Sequence, residues 1–170
     1  QDKAKLIESD FSDAEFTGAT LTRSRWHRAV LRGASFYQAD LEAALLEAAN
    51  LNGANLTQAN LLNAELEQAQ LEGAVLMQAQ ADWASFNGAN LIKTDWADAS
   101  LMGAQLEEAN LAGANLSGVN LLQANLENAN LTAVDFAEAQ VAGAIFTDAR
   151  GLTQAQAQWL KQNGALNVPA

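Results

Sequence analysis

The feature that most constrains the fold is a period of five residues, clearest in the segment ANLNGANLTQANLLNAEL at 49–66. Alanine opens every group of five there, and leucine is always third. Helices repeat at about 3.6 residues and strands at 2, so five matches neither. Steps of five from Phe11 to Phe146 give 28 central positions without an insertion. Their occupants are 18 Leu, 6 Phe, 2 Trp, one Val and one Ala, so the array is continuous.

The position two residues before each centre requires a small side chain, because 23 of its 28 occupants are Ala. In an α-helix each step of five would turn the centre by about 140°, so no single face could be buried. In an extended segment the small residue and the centre point to the same side. Both stay inside only if the chain turns before the next group. The period therefore predicts a solenoid, with corners where nine of the eleven glycines lie, two residues after a centre.

The position before the centre is rich in asparagine, at residues 50, 55, 60, 90, 110, 115, 120, 125 and 130. With alanine one place earlier, this pattern resembles the pentapeptide repeat family, whose consensus is A(D/N)LXX. The resemblance covers about residues 9–150, and its alanine-rich style is similar to cyanobacterial members of unassigned function. It implies an all-β solenoid, a right-handed quadrilateral parallel β-helix with four groups per coil. The groups would then form about seven coils, roughly 34 Å long at about 4.8 Å per coil.

Three parts of the chain follow from this pattern. We expect an N-terminal cap segment at 1–8, the β-helix at 9–150, and a C-terminal capping α-helix and tail at 151–170. Thr153 and Gln156 have the spacing of a capping box, and Gly164 follows the last predicted turn. Trp159 and Leu160 are expected to face the last coil.

Composition disfavours catalysis. The chain has no cysteine and one histidine, His27, and it contains no Gly-rich phosphate loop or ligand-spaced cluster. We therefore expect no enzyme activity, no catalytic residues, no cofactor and no metal site. The net charge of −11 disfavours direct binding of nucleic acid. No apolar run approaches the roughly 18 residues of a membrane span, so membrane insertion is not expected.

Positions that differ by 20 should stack, which lets the surface be read in columns. One column is acidic, and it defines a candidate partner surface at Glu47, Glu67, Glu107 and Glu127. A second column is apolar, and it defines a candidate interface at Leu62, Trp83, Met102 and Leu122, which we expect to be exposed. Solvated surface with no partner is the alternative reading of both columns.

The first coils carry a basic cluster at Arg23, Arg25, Arg28 and Arg32. From residue 33 to 149 only Lys93 is positive, against fifteen acidic residues. The molecule is therefore expected to have a basic end and an acidic shaft. We expect the four arginines to pair with nearby acids and not to form an anion site.

Two functions from different classes remain open. The first is a non-enzymatic protein-interaction or scaffold module with an unidentified protein partner, and a homodimer is one form of it. The second, implied by the family resemblance, is a DNA mimic that binds DNA gyrase and modulates fluoroquinolone sensitivity. We expect a soluble protein. Export to the periplasm or thylakoid lumen after signal cleavage and a cytoplasmic location both remain open.

Overall fold

Parallel pairing between residues 20 apart organises the molecule. The computed structural model describes residues 6–169. Isolated parallel β-bridges join residues 20 apart at every fifth position, from Asp10 with Val30 to Asn130 with Arg150. The chain therefore winds as a solenoid, as the period predicts, and 20 residues make one coil, as the family resemblance implies.

Each group of five repeats one conformation. Ala49 and Leu51 are fully buried, and the two residues after Leu51 turn the chain into the next group. The Leu51 N–H donates to the Gln70 carbonyl at 2.6 Å, and the Asn50 N–H donates to the Ala29 carbonyl at 2.9 Å. One N–H thus bonds the coil above and its neighbour bonds the coil below, so backbone pairing runs through the whole stack.

Every corner of the solenoid uses left-handed backbone, and glycine supplies only part of them. The second corner residue has positive φ throughout, for example 66° at Gly53 and 58° at Gln58. The expectation that glycine marks the corners is therefore incomplete. Most corners hold residues with a Cβ, for which this conformation costs roughly 1 kcal/mol or more. The pairing above and below each corner must offset that cost.

Asparagine before the centre stabilises the corner that follows. The Asn60 Oδ1 accepts a hydrogen bond from the Leu62 N–H at 3.1 Å, and its Nδ2 donates to the Asp40 Oδ1 at 3.0 Å. Asn120 repeats the first bond, to the Leu122 N–H at 3.1 Å. An Asn or Asp side chain has the length to close this turn. This geometry explains the asparagine frequency at that position.

Two tryptophans at central positions are satisfied inside the core. The Trp26 Nε1 donates to the Ser24 Oγ at 2.6 Å, and the Trp96 Nε1 donates to the Thr94 Oγ1 at 2.9 Å. Both hydroxyls in turn donate to backbone carbonyls. Ser24 and Thr94 therefore replace alanine because a buried indole N–H needs an acceptor.

The N-terminal end begins earlier than predicted. Residues 1–5 of the predicted cap segment lie outside the described residues, but Leu6 and Glu8 already belong to the stack. Their N–H groups donate to the Arg25 and His27 carbonyls at 2.8 and 3.0 Å. Residues 6–8 thus form a corner like those that follow.

The C-terminal end is covered by helix α1, Gln154–Gln162, which begins with a capping box between Thr153 and Gln156. Leu160 is fully buried and Trp159 is half-buried against the core. The Gln156 Nε2 also donates to the Val134 carbonyl of the last coil at 2.8 Å. After α1 the chain returns to the stack, where Leu166 bridges Ile145. Within residues 6–169, no helix is long and apolar enough to span a membrane.

Candidate functional site

The acidic column lies along one corner of the solenoid. Its members each directly follow a buried centre, Leu46, Leu66, Leu106 or Leu126, and the 20-residue register stacks them. Glu47 is exposed, and the other three are half-buried. Below them, the His27 Nδ1 lies 3.4 Å from the Glu47 Oε2. The column thus continues towards the N-terminal end through an imidazole and carboxylate contact.

Asn87 interrupts the column for a structural reason. It occupies the level between Glu67 and Glu107, and its Oδ1 accepts a hydrogen bond from the Glu107 N–H at 3.0 Å. The residue before the Leu106 centre is Gln105. Its side chain donates to the Gly103 carbonyl behind it and does not close the corner that follows Leu106. Asn87 therefore closes the corner of the coil above, which an asparagine at position 105 would otherwise close.

Asp82 interrupts the apolar column in the same way. Its Oδ1 accepts from the Met102 N–H at 3.1 Å and also from the Ser100 hydroxyl. Asn52 does this a third time, for the Glu72 N–H at 2.8 Å. These are the only Asn or Asp residues at the first corner position after a centre. In each case the residue before the next centre in that stack, Gln70, Ser100 or Gln105, is neither Asn nor Asp.

The apolar column is less exposed than its position predicts. Leu62, Met102 and Leu122 are half-buried, so the expectation that they are exposed is wrong for these three. Coils stack only about 4.8 Å apart, so a long corner side chain lies against its neighbours above and below. Trp83 is the exception, with 51% of its surface accessible.

The Trp83 side chain packs on the coil above. Its ring lies over Gly103, where any Cβ would collide with the six-membered ring. Gly103 is buried as a result, whereas most corner residues are exposed. A flat ring held on glycine retains one free face at low conformational cost. Gly103 is the residue of this site that column reading missed, and its stacking exactly one coil above Trp83 was the available signal.

The two columns border one and the same face. Leu62 precedes the extended segment 64–66 and Glu67 follows it, and the same order holds one, two and three coils higher. We call the outward residues between the columns the shared face, which consists of Glu65, Ser85, Gln105 and Asn125. An apolar edge and a carboxylate edge therefore lie on either side of a polar strip.

The basic cluster is fully at the surface. Arg23, Arg25, Arg28 and Arg32 are all exposed, and they lie at different corners and faces of the first coils. The Arg28 Nη1 lies 3.8 Å from the Glu8 Oε1. No other member has an ion pair with the residues described, so the expected pairing is seen for Arg28 alone. Nearby, hydrogen bonds from the Ser12 hydroxyl and backbone N–H hold the pKa of Asp10 below its ordinary value.

The described residues, 6–169, contain no group of three His, Asp or Glu side chains placed to hold a metal ion. The carboxylates of the acidic column follow the solenoid axis and do not converge on one point, as calcium ligands would.

Comparison with known proteins identifies the repeat. The family model described as pentapeptide repeats (8 copies) matches residues 82–118 and 109–148, and the pentapeptide repeat region model matches 19–96. No curated protein is significantly similar to the chain. A pentapeptide repeat protein of the Arabidopsis thaliana thylakoid lumen is 30% identical, with 67% of this chain and 80% of that chain covered and a TM-score of 0.63.

Two further solved structures are also similar to this chain. HetL from Nostoc sp. strain PCC 7120, a pentapeptide repeat protein involved in heterocyst differentiation regulation, is 28% identical. Its match covers 85% of this chain and 81% of that chain, with a TM-score of 0.37. QnrB1, a plasmid-mediated fluoroquinolone resistance protein, is 19% identical over 95% of this chain and 91% of that chain, with a TM-score of 0.49. From the family models and the Arabidopsis structure together, the chain belongs to the pentapeptide repeat family.

Proposed function

We propose that this chain is a non-enzymatic protein-interaction or scaffold module that binds a protein partner through the acidic column. One observation carries the proposal: four of five successive coils hold a carboxylate in a fixed register on one corner, beside a polar strip. Repeat solenoids bind partners through extended surfaces built in this way. A basic protein surface is the complementary partner, because both its encounter rate and its specificity would gain from the opposite charge.

We infer a right-handed, four-sided helix of about seven coils over residues 9–150, with 151–170 closing the C-terminal end. Such a rod is stiff because every coil pairs with its neighbours through the backbone. Its surface can therefore hold side chains at set spacings without a rearrangement on binding.

Site-specific photo-crosslinking in the native host tests the interaction. Ser85 lies on the shared face, and Ser35 lies on the opposite side of the solenoid, so the two serines form a matched pair of crosslinker positions. We expect a discrete crosslinked protein from position 85 that is absent from position 35. The product should also be lost when Glu47, Glu67, Glu107 and Glu127 are changed to Gln. Equal crosslinking from both positions, or none from either, would contradict the proposal.

A second candidate function is mimicry of DNA, which the charge of the shaft favours. Residues 33–149 carry fifteen acidic residues and one lysine, a net charge of −14. Over a length of roughly 28 Å this is about one negative charge per 2 Å, against one per about 1.7 Å of duplex DNA. The proposed target of such a mimic is DNA gyrase.

A gyrase supercoiling assay, with and without a fluoroquinolone, separates the two candidates. Inhibition or protection that disappears in the four-site Glu→Gln variant would support mimicry and assign it to the acidic column. No effect at tens of micromolar protein would remove gyrase as the partner. The photo-crosslinking result would then decide whether the interaction proposal stands.

A further inference from the structure

The shared face presents an apolar group and a carboxylate at matched heights. Leu62, Met102 and Leu122 each lie five residues before a glutamate of the acidic column, Glu67, Glu107 and Glu127 in turn. Each pair therefore lies at one level of the stack, on the two edges of the same face. A partner that touches one column at a given level is in position to touch the other.

Between Leu62 and Leu122, one level lacks this pairing, yet it still carries an apolar side chain beside the edge. Asp82 and Asn87 occupy the two edge positions there, and both are engaged in capping the coil above. The next residue, Trp83, is the apolar residue of that level, and its ring extends to the coil above, where it lies over Gly103. Four consecutive levels thus carry an apolar side chain on one edge, and three of them carry a carboxylate on the other.

Strand addition is not available on this face. The Ser85 N–H donates to the Ala64 carbonyl at 2.9 Å, and the Gln105 N–H donates to the Ala84 carbonyl at 3.0 Å. Backbone groups of the face are therefore used between coils, and recognition here must rely on side chains. An α-helix of a partner protein can make such contacts, because its side chains form stripes along the helix surface.

The spacing of the levels suits an α-helix laid along the solenoid axis. Levels repeat at about 4.8 Å and helix turns at about 5.4 Å, so the two drift apart by only about 2 Å over four levels. Lys and Arg side chains are long and flexible enough to absorb that drift. One helical turn can therefore meet one level, with neighbouring stripes on the apolar and acidic edges.

We propose that the shared face binds an amphipathic α-helix of a partner protein, with an apolar stripe on Leu62, Trp83, Met102 and Leu122. An adjacent Lys or Arg stripe faces Glu67, Glu107 and Glu127. The proposal rests on the interaction function above and names the class of partner. Charge complementarity selects a basic helix over a second copy of this chain, because each copy carries a net charge of −11.

The test uses a fluorescein-labelled synthetic peptide of about 18 residues, long enough to form a helix. It carries a leucine stripe beside a lysine stripe, and a scrambled peptide of the same composition has neither. We expect fluorescence anisotropy at low salt to show binding of the striped peptide, weakened about tenfold or more by scrambling. Trp83→Ala should weaken binding by at least about tenfold, as for a central aromatic anchor.

Two pairs of variants test whether peptide binding depends on the position of the charges and on the position of the Trp83 ring. Changing Glu67, Glu107 and Glu127 to Gln should weaken binding about tenfold. The same change at Glu15, Glu72 and Glu138, which are exposed on other faces, should leave it nearly unchanged. Gly103→Ala should weaken binding because it displaces the Trp83 ring. Gly53→Ala should not, since nothing lies within 4 Å of its Cβ position.

Several results would overturn the helix proposal. Equal binding of the striped and scrambled peptides, or equal loss in both glutamate triplets, would leave only general electrostatic attraction. No binding at about 100 μM, near the weak end of specific association, would remove the helix partner. A wild-type dimer that Trp83→Ala converts to a monomer in analytical ultracentrifugation would make a second copy the occupant. In each case, column-dependent photo-crosslinking from position 85 would still support the interaction function on its own.

Discussion

At the scale of the residue, a central tryptophan determines what can stand two positions earlier. The buried indole N–H of Trp96 bonds Thr94, whose hydroxyl donates to the Leu91 carbonyl at 2.7 Å. Trp26 and Ser24 repeat the arrangement at the N-terminal end. An alanine in that place would leave a buried donor without an acceptor, which costs about 1–3 kcal/mol. The hydroxyl is therefore part of the core and not an accidental polar residue.

The substitution Thr94→Val tests this pair because it keeps the side-chain shape and removes the acceptor. We expect the free energy of unfolding to fall by about 1–3 kcal/mol, whereas Thr94→Ser should cost clearly less because it retains the hydroxyl. Urea denaturation of the three proteins gives the comparison. Equal losses for valine and serine would show that packing at residue 94, and not the hydrogen bond, matters.

At the scale of the element, each corner can be closed from its own coil or from the coil below. Asn60 closes its own corner through the Leu62 N–H, whereas Asn52 closes the corner of the next coil through the Glu72 N–H. The second arrangement occurs where the local residue, such as Gln70, does not close the corner. An asparagine at the first corner position can therefore replace the asparagine that is missing before the next centre one coil above.

We therefore expect that a substitution at residue 70 can restore the stability lost through a substitution at residue 52. Asn52→Ala should lower the free energy of unfolding by about 1 kcal/mol, the usual value of such a side-chain cap. Adding Gln70→Asn to that variant should restore most of the loss, because an asparagine at 70 can close its own corner. Gln70→Asn alone should change stability little, since Asn52 already holds the Glu72 N–H. Thermal and urea unfolding of the four proteins complete a double-mutant cycle. Additive effects, with no rescue, would show that the two caps act independently.

At the scale of the whole molecule, the period of five predicted the solenoid, because only a turn in every group keeps Ala49 and Leu51 inside. The family resemblance, with its four groups per coil, predicted which residues stack, including Glu107 under Glu127. It could not predict that Asp82 and Asn87 turn to the coil above, because that depends on which residue precedes the next centre. Nor could it predict the half-burial of Met102, since exposure at a corner depends on neighbouring side chains more than on position.

The most direct test of the account is the distance between residues that the register stacks. Spin labels at Glu47→Cys and Glu127→Cys can be placed cleanly because the chain has no cysteine. The two positions are four coils apart, so pulsed electron spin resonance should give a narrow distribution near 19 Å, at about 4.8 Å per coil. A broad distribution, or a mean far beyond this value, would contradict the stacked register. The acidic column and the shared face would then not exist as surfaces.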